Sequence, residues 1–310
     1  MKRSWLISAI PVIICASCVA VHGSNSSIEV KIGGRISYCW WQPPWSDGLR
    51  YVVPSSTSPV STPYKINKYD TAPTFMYGFM VSAQFLESWV FSSSFMYGNF
   101  FSRSITPVSY IPASLTRLSY SKDIKRYDFD ARLGYQINQY FSAYVCIKTL
   151  SNNYVEKINN AQASLTPSLS FASAKGEFID VGPGLGIGIN VPLYQNFSVL
   201  INTAGLVFAG SGSYVYSYQY SIVSEVTQIL DQYQKESFYS YSWNGSLALE
   251  YIIKSAGITL QLGGNYNIIY YQHHRTLRGF LDYSNKYDRF YCITFATIYS
   301  FTLGDSTTMK

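Results

Sequence analysis

The strongest constraint on this chain is an alternation of apolar and polar residues with a period of two. It recurs in ten segments whose connections are alternately short and long. Successive residues of a strand face opposite sides of a sheet, so such a pattern describes strands with one apolar and one polar face. From Ile28 one face reads Ile28, Val30, Ile32, Gly34, Ile36, Tyr38 and Trp40, and the other reads Glu29, Lys31, Gly33, Arg35, Ser37 and Cys39. Phe75 to Phe85 and Trp89 to Gly98 repeat it. In the sharpest segment Tyr127, Phe129, Ala131, Leu133, Tyr135 and Ile137 alternate with Arg126, Asp128, Asp130, Arg132, Gly134 and Gln136. Phe141–Lys148, Ile179–Val191, Phe197–Ala209, Tyr239–Ile253, Ala256–Tyr270 and Tyr287–Phe301 complete the set.

The connections carry independent information. Glu87-Ser88, Asn138-Gln139, Tyr194–Asn196 and Lys254-Ser255 are tight turns. Between them lie long polar stretches at about Gln42–Thr71, Ser102–Lys122, Ser151–Lys175, Gly210–Phe238 and Gln272–Lys286. Short periplasmic turns and long extracellular loops are the rule in bacterial outer-membrane barrels, and segments near ten residues match a tilted crossing of the bilayer. A secreted β-sandwich also alternates, but its outer face needs Lys, Glu and Thr to meet water. Charged residues make up only 13% of the 310, aromatics reach 17%, and mean hydropathy is +0.03. So few charges could not clothe a soluble surface, and near-zero hydropathy is unlike a bundle of apolar helices. The expected fold is all-β, an antiparallel transmembrane β-barrel of about ten strands, with twelve as the alternative.

Three regions are expected: a signal peptide over 1–23, the barrel over 24–303 and a short tail over 304–310. Lys2 and Arg3 form a basic start, Trp5 to Val21 an apolar core, and Val21-His22-Gly23 a cleavage site. Removal lowers the formal charge from +6 to +4, too small and scattered a balance to suggest nucleic acid. Cys39, Cys146 and Cys292 then remain. An odd number cannot pair fully within one chain, so no disulfide framework is expected and each cysteine reads as a small apolar strand residue.

The polar face of the strands would line the lumen. Lys31, Arg35, Arg126, Asp128, Asp130, Arg132, Lys148, Asp180 and Glu250, with Glu29, place both signs of charge there. Bare charges in a narrow tube are costly, so they either pair structurally or form a selectivity or binding constellation. Gly182, Gly184, Gly186 and Gly188 fall on the same face and leave room for bulky side chains opposite. No Lys-Ser or Lys-Thr follows them, so they are not a phosphate loop. Asp128-Phe129-Asp130 invites comparison with outer-membrane proteases of the omptin type, but the chain lacks their Asp-x-His, and His273 and His274 are adjacent, which places them on opposite faces of a strand. No zinc spacing or nucleophile elbow is present, so no catalytic, cofactor or metal residue is expected. Ile222, Val226, Ile229, Leu230 and Tyr233 have helical spacing, which suggests a short amphipathic helix over or into the barrel mouth, against an extended loop that prolongs two strands.

Several stretches resemble the major-outer-membrane-protein type of porin-like barrel found in Legionella and in chlamydia-related bacteria. They are Arg35–Trp41 followed by Asp47-Gly48-Leu49-Arg50-Tyr51, the hairpin from Tyr77-Gly78-Phe79 to Ser88-Trp89, and Val181-Gly182-Pro183-Gly184-Leu185-Gly186 with Asn196-Phe197-Ser198-Val199. Gly184 stands where that family carries a basic residue. The last strand ends on aromatic Phe301, similar to the signal read by barrel-assembly machinery, although Thr302–Lys310 follow it. The resemblance implies an outer-membrane location in a Gram-negative-type bacterium, contact with outer-membrane lipid and assembly machinery, and passive diffusion of small solutes. Width points the other way, because about eight strands make a tube that side chains fill and open porins use 16 to 18. The alternative is a closed, adhesin-type barrel whose surface loops bind a partner such as a host surface. Twelve strands would favour the pore, and ten with a packed lumen the closed barrel.

Overall fold

The computed structural model describes residues 28–42, 49–53, 62–66, 71–110, 114–160, 168–221, 228–271 and 287–303. The expected signal peptide, the tail over 304–310, His273 and His274 lie outside these residues. The elements are β1 (Ile28–Gln42), β2 (Leu49–Val53), β3 (Thr62–Ile66), β4 (Thr74–Phe85), β5 (Trp89–Tyr110), β6 (Ser114–Gln136), β7 (Phe141–Asn160), β8 (Ser168–Tyr194), β9 (Phe197–Ser221), β10 (Gln228–Ile253), β11 (Ile258–Tyr271) and β12 (Tyr287–Leu303). Ten of them close into one antiparallel barrel in the order β1-β12-β11-β10-β9-β8-β7-β6-β5-β4, with β4 returning to β1. The remaining two, β2 and β3, pair only with each other inside the first long connection. The barrel therefore has ten strands, not twelve. Closure leaves no sheet edge, which is what a backbone inside hydrocarbon requires.

The tight turns fall where the sequence places them. Asn138 Oδ1 accepts from the Tyr140 and Phe141 amides at 2.8 and 2.9 Å, a local bond that sets the β6–β7 turn. At the β10–β11 end Gly257 takes φ +63° after a single 3-10 turn, a backbone geometry that favours glycine.

Two expectations fail. The stretches Ser102–Lys122, Ser151–Lys175 and Gly210–Phe238 read as polar loops, yet most of each is strand. β5 to β10 run 20–27 residues, whereas β1, β4, β11 and β12 have 12–17. Alternation of polarity lapses in the sequence there, while the hydrogen-bond ladder continues. The helix expected over Ile222–Tyr233 is likewise replaced: Gln228 to Tyr233 belong to β10 and pair with β9 from Tyr220 to Val215. Residues 222–227 lie outside the described part.

The outer surface is apolar around the whole ring. Leu185 is 70% exposed and Ile32, Val145, Ile187, Leu247, Leu262 and Ile293 are more than half exposed. Burial of that area requires lipid, since a soluble monomer does not carry an apolar belt of this size. Aromatic residues crowd both ends of the belt. Trp89 against Tyr135 (5.3 Å between ring centres) and Phe197 against Tyr251 (4.5 Å) sit at the short-turn end, and Trp40 against Tyr291 (5.5 Å) and Tyr270 against Tyr287 (5.2 Å) at the other. These are the interfacial girdles of a membrane barrel. Leu185→Arg, on the outer face, is expected to cost about 2–4 kcal/mol in a lipid-embedded barrel. Urea unfolding in vesicles checks it, and an unchanged midpoint would remove lipid from that face.

A disulfide corrects the cysteine expectation. Cys39 and Cys292 are direct register partners across the β1–β12 seam, and they are bonded, 253 residues apart in sequence. Among the described cysteines Cys146 alone is free, and it is buried.

Candidate functional site

The site is the lumen, with the long-connection end taken as extracellular. Alternation on β6 sends Arg126, Asp128, Asp130 and Arg132 inward at successive levels. Arg126 has no exposed surface. Its Nε donates to Asp128 Oδ1 at 3.0 Å and its Nη1 lies 3.9 Å from Asp288 Oδ2. The guanidinium sits over the Phe290 ring at 4.1 Å and the Trp41 ring at 5.0 Å. Trp41 Nε1 donates to Asp288 Oδ1 at 2.7 Å. In the ring of ten, β6 lies four places from β12, so Arg126 reaches across the lumen to the seam strands.

Apolar side chains fill the rest of this level. Cys146 and Leu150 from β7, Ala204, Leu206 and Phe208 from β9, and Ile269 from β11 form one buried cluster. Phe100 of β5 packs on Trp41 and Phe290 at 5.1 and 6.0 Å. Above them Tyr154, Phe178, Phe238 and Tyr271 run ring to ring at 5.6, 6.4 and 5.6 Å. The lumen glycines accommodate this filling as the sequence suggests. A Cβ on Gly184 would stand 2.7 Å from Leu206 Cγ and 2.9 Å from Cys146 Sγ, and one on Gly182 would meet the Phe208 ring. These described side chains form a packed plug in the tube at and above the level of Arg126.

The other expected residues divide by level. Arg132 grips Asp130 through Nε (2.6 Å) and Nη2 (3.3 Å) and lies over the Tyr144 ring at 5.2 Å. Lys148 is opposite Asp130 in register and nearly buried, and Arg35 donates from Nε to Met96 Sδ at 2.6 Å. Glu29 and Lys31 pair at 3.4 Å at the half-exposed periplasmic rim. Glu250 is apart from them, accepting from Gln261 Nε2 at 2.7 Å and Ser198 Oγ at 3.4 Å. Asp180 is buried at plug level, and its Oδ1 has no hydrogen-bond partner among the described residues. The Arg126 Nη1 and Nη2, Asn152 Oδ1, Ser240 Oγ and Asn267 Nδ2 atoms share that condition.

Sequence reasoning missed Asp288, Trp41 and Phe290. Continuing the alternation of the last strand back from Cys292 would have put Phe290 and Asp288 on the inner face. A cavity of about 240 Å³ opens at the Asn138–Tyr140 turn and is lined by Ser92, Arg132, Gln136, Ser142, Tyr144, Asn190 and Asn202 among others. Among the described residues, no group of three or more His, Cys, Asp or Glu could hold a metal ion.

No protein-family model and no curated protein matches the chain. Solved structures do resemble it in shape. The outer membrane protease OmpT from Escherichia coli is 9% identical over 90% of this chain and 99% of its own, with a TM-score of 0.43. The translocator domain of the autotransporter NalP from Neisseria meningitidis is 9% identical over 95% and 96%, with a TM-score of 0.45. The CymD monoaromatic hydrocarbon channel is 10% identical over 90% and 89%, with a TM-score of 0.30. These neighbours are outer-membrane β-barrels of unlike activities. At such identities no residue of their sites transfers to this chain.

Proposed function

We propose that the chain is a closed outer-membrane barrel, without enzymatic activity, that works by displaying its extracellular end to a binding partner. The observation that carries this reading is Arg126, which crosses the tube with no exposed surface and is held between Trp41, Phe290, Asp128 and Asp288. A hydrated solute has no path through that level. Arg126 and Arg132, two of the side chains that would tune selectivity in a pore, are instead paired with Asp128 and Asp130, the arrangement that makes buried charge tolerable.

The unequal strand lengths supply the display surface. β5 to β10 rise past the apolar belt, and their outward positions change from Tyr127, Val181 and Val207 to Lys125, Asp123, Glu177, Lys175 and Ser213. The paired strands β5 to β10 form a wall that rises past the belt on one side of the barrel. The porin-like alternative, kin to the Legionella and chlamydia-like major outer membrane proteins, requires the plug to leave the tube. Liposome swelling separates the two. Vesicles carrying the refolded protein should shrink and stay shrunken in arabinose, like protein-free vesicles. Swelling at rates that scale inversely with solute size would establish the pore instead.

A further inference from the structure

The lumen charges are not evenly mixed along the barrel. Toward the extracellular end a single cation, Arg126, faces three acids, Asp128, Asp180 and Asp288. Toward the periplasmic end three cations, Arg132, Lys148 and Arg35, surround one acid, Asp130. Asp130 is committed to Arg132, and neither Lys148 nor Arg35 has an ion pair among the described residues. Glu250 on β10, hydrogen-bonded to Gln261 and Ser198, adds a second acid to this half, and the rim pair Glu29 and Lys31 cancels. Arg132, Lys148 and Arg35 against Asp130 and Glu250 leave the periplasmic half with one more cation than acid, in walls that focus its field.

That half also holds a cavity. The cavity of about 240 Å³ is blind, since the plug closes it above, and Arg132 is the one charged residue lining it among those described. Arg132 is about one-third exposed there, and its two bonds to Asp130 use Nε and Nη2, which leaves Nη1 for a ligand. Below it the walls carry neutral hydrogen-bonding groups, Ser92, Gln136, Ser142, Asn190 and Asn202. Tyr144 closes one side with its ring, because its hydroxyl is spent on the Thr203 carbonyl at 3.1 Å. A cation at the blind end, amides and hydroxyls along the sides and an aromatic face are complementary to a small anion with a hydroxylated body.

We propose that this vestibule is a binding site, open to the periplasm, for a small hydroxylated anion, the carboxylate or phosphate lying against Arg132 and the hydroxyls against the Ser and Asn side chains. The site does not depend on whether the plug ever opens. The volume suits a single sugar-sized molecule and excludes a folded partner.

Isothermal titration of the refolded full chain in detergent tests this with gluconate, glucose 6-phosphate and glucose. Both anions should bind one to one in the millimolar range or tighter, with glucose at least about tenfold weaker. Arg132→Gln should weaken both anions by about tenfold or more. Because that change leaves Asp130 without its partner, Asn190→Leu provides a second reading, keeping every charge while narrowing the mouth, with a similar loss expected. Glu29→Gln at the rim should leave binding unchanged. Equal affinity for glucose, unaltered anion binding in both lining variants, or no heat from either anion would overturn the proposal. Binding of glucose 6-phosphate alone would support it and assign the site to phosphate.

Discussion

Arg126→Met should destabilise the barrel by about 3–5 kcal/mol, the cost of stranding buried acids once their counter-charge is gone. The figure follows from burial and connectivity. Arg126 has no exposed surface, and its removal leaves Asp128 and Asp288 in a packed, largely aromatic level with Trp41 Nε1 as the main remaining donor to Asp288. Adding Asp128→Asn and Asp288→Asn to Arg126→Met removes the stranded charge and should return most of the lost stability, since neutral replacement of a whole buried network is far cheaper than breaking it. Urea midpoints of the refolded barrel in detergent measure both steps. A single variant as stable as wild type would mean that water reaches Arg126, and the lumen could not then be closed at that level.

Reduction of the Cys39–Cys292 disulfide is the second large effect. The bond ties the first strand of the barrel to the last across 253 residues, so in the unfolded chain it closes nearly the whole barrel sequence into a loop. Loop-closure entropy for a loop of that length is worth about 5 kcal/mol, as the upper end of what such bonds deliver. The β1–β12 ladder it staples is also the seam that converts a ten-stranded sheet into a barrel. The oxidised barrel should unfold at markedly higher urea than the reduced protein or the Cys39→Ser, Cys292→Ser double variant. Cys146→Ala, which leaves the bond intact, should lose stability on reduction just as the wild type does, whereas the double variant should not respond to reductant. Identical midpoints with and without reductant would remove the staple from the account of stability.

The barrel was legible in the sequence because the membrane forces each strand to declare its faces. Wherever lipid covers one side, as from Tyr127 to Ile137, polarity alternates and the inward row Arg126, Asp128, Asp130, Arg132 can be read directly. Beyond the belt the signal disappears although the strands do not. Gly210 to Phe238 has polar residues on both faces, so strand extensions passed for loops, and the apolar residues around Ile229 and Leu230 mimicked a helix. Local charge pairs were legible for a related reason. Arg126 with Asp128 and Arg132 with Asp130 are neighbours along one face, and proximity in sequence implies proximity in space.

Contacts across the ring were another matter. Asp288 meets Arg126 only because the strand order brings β12 within four places of β6, and Cys39 meets Cys292 only because the ends of the chain form the seam. No spacing encodes either contact. Counting cysteines misled as well: an odd number says that one must remain free and nothing about the other two. The plug was half visible, since the glycines on β8 showed that bulk must fill the space opposite, but not that Phe208 and Leu206 would be the residues to do so.

The most direct test of a closed lumen is electrical. Refolded protein, shown to be folded by its heat-dependent gel mobility, is inserted into a planar lipid bilayer and held under voltage. A barrel sealed by Arg126 and its aromatic neighbours should give a quiet baseline with no reproducible unitary step. Discrete steps of constant size in the wild type, with an ion preference that shifts when Arg126 or Asp130 is neutralised, would contradict the closed barrel and establish a pore lined by those residues.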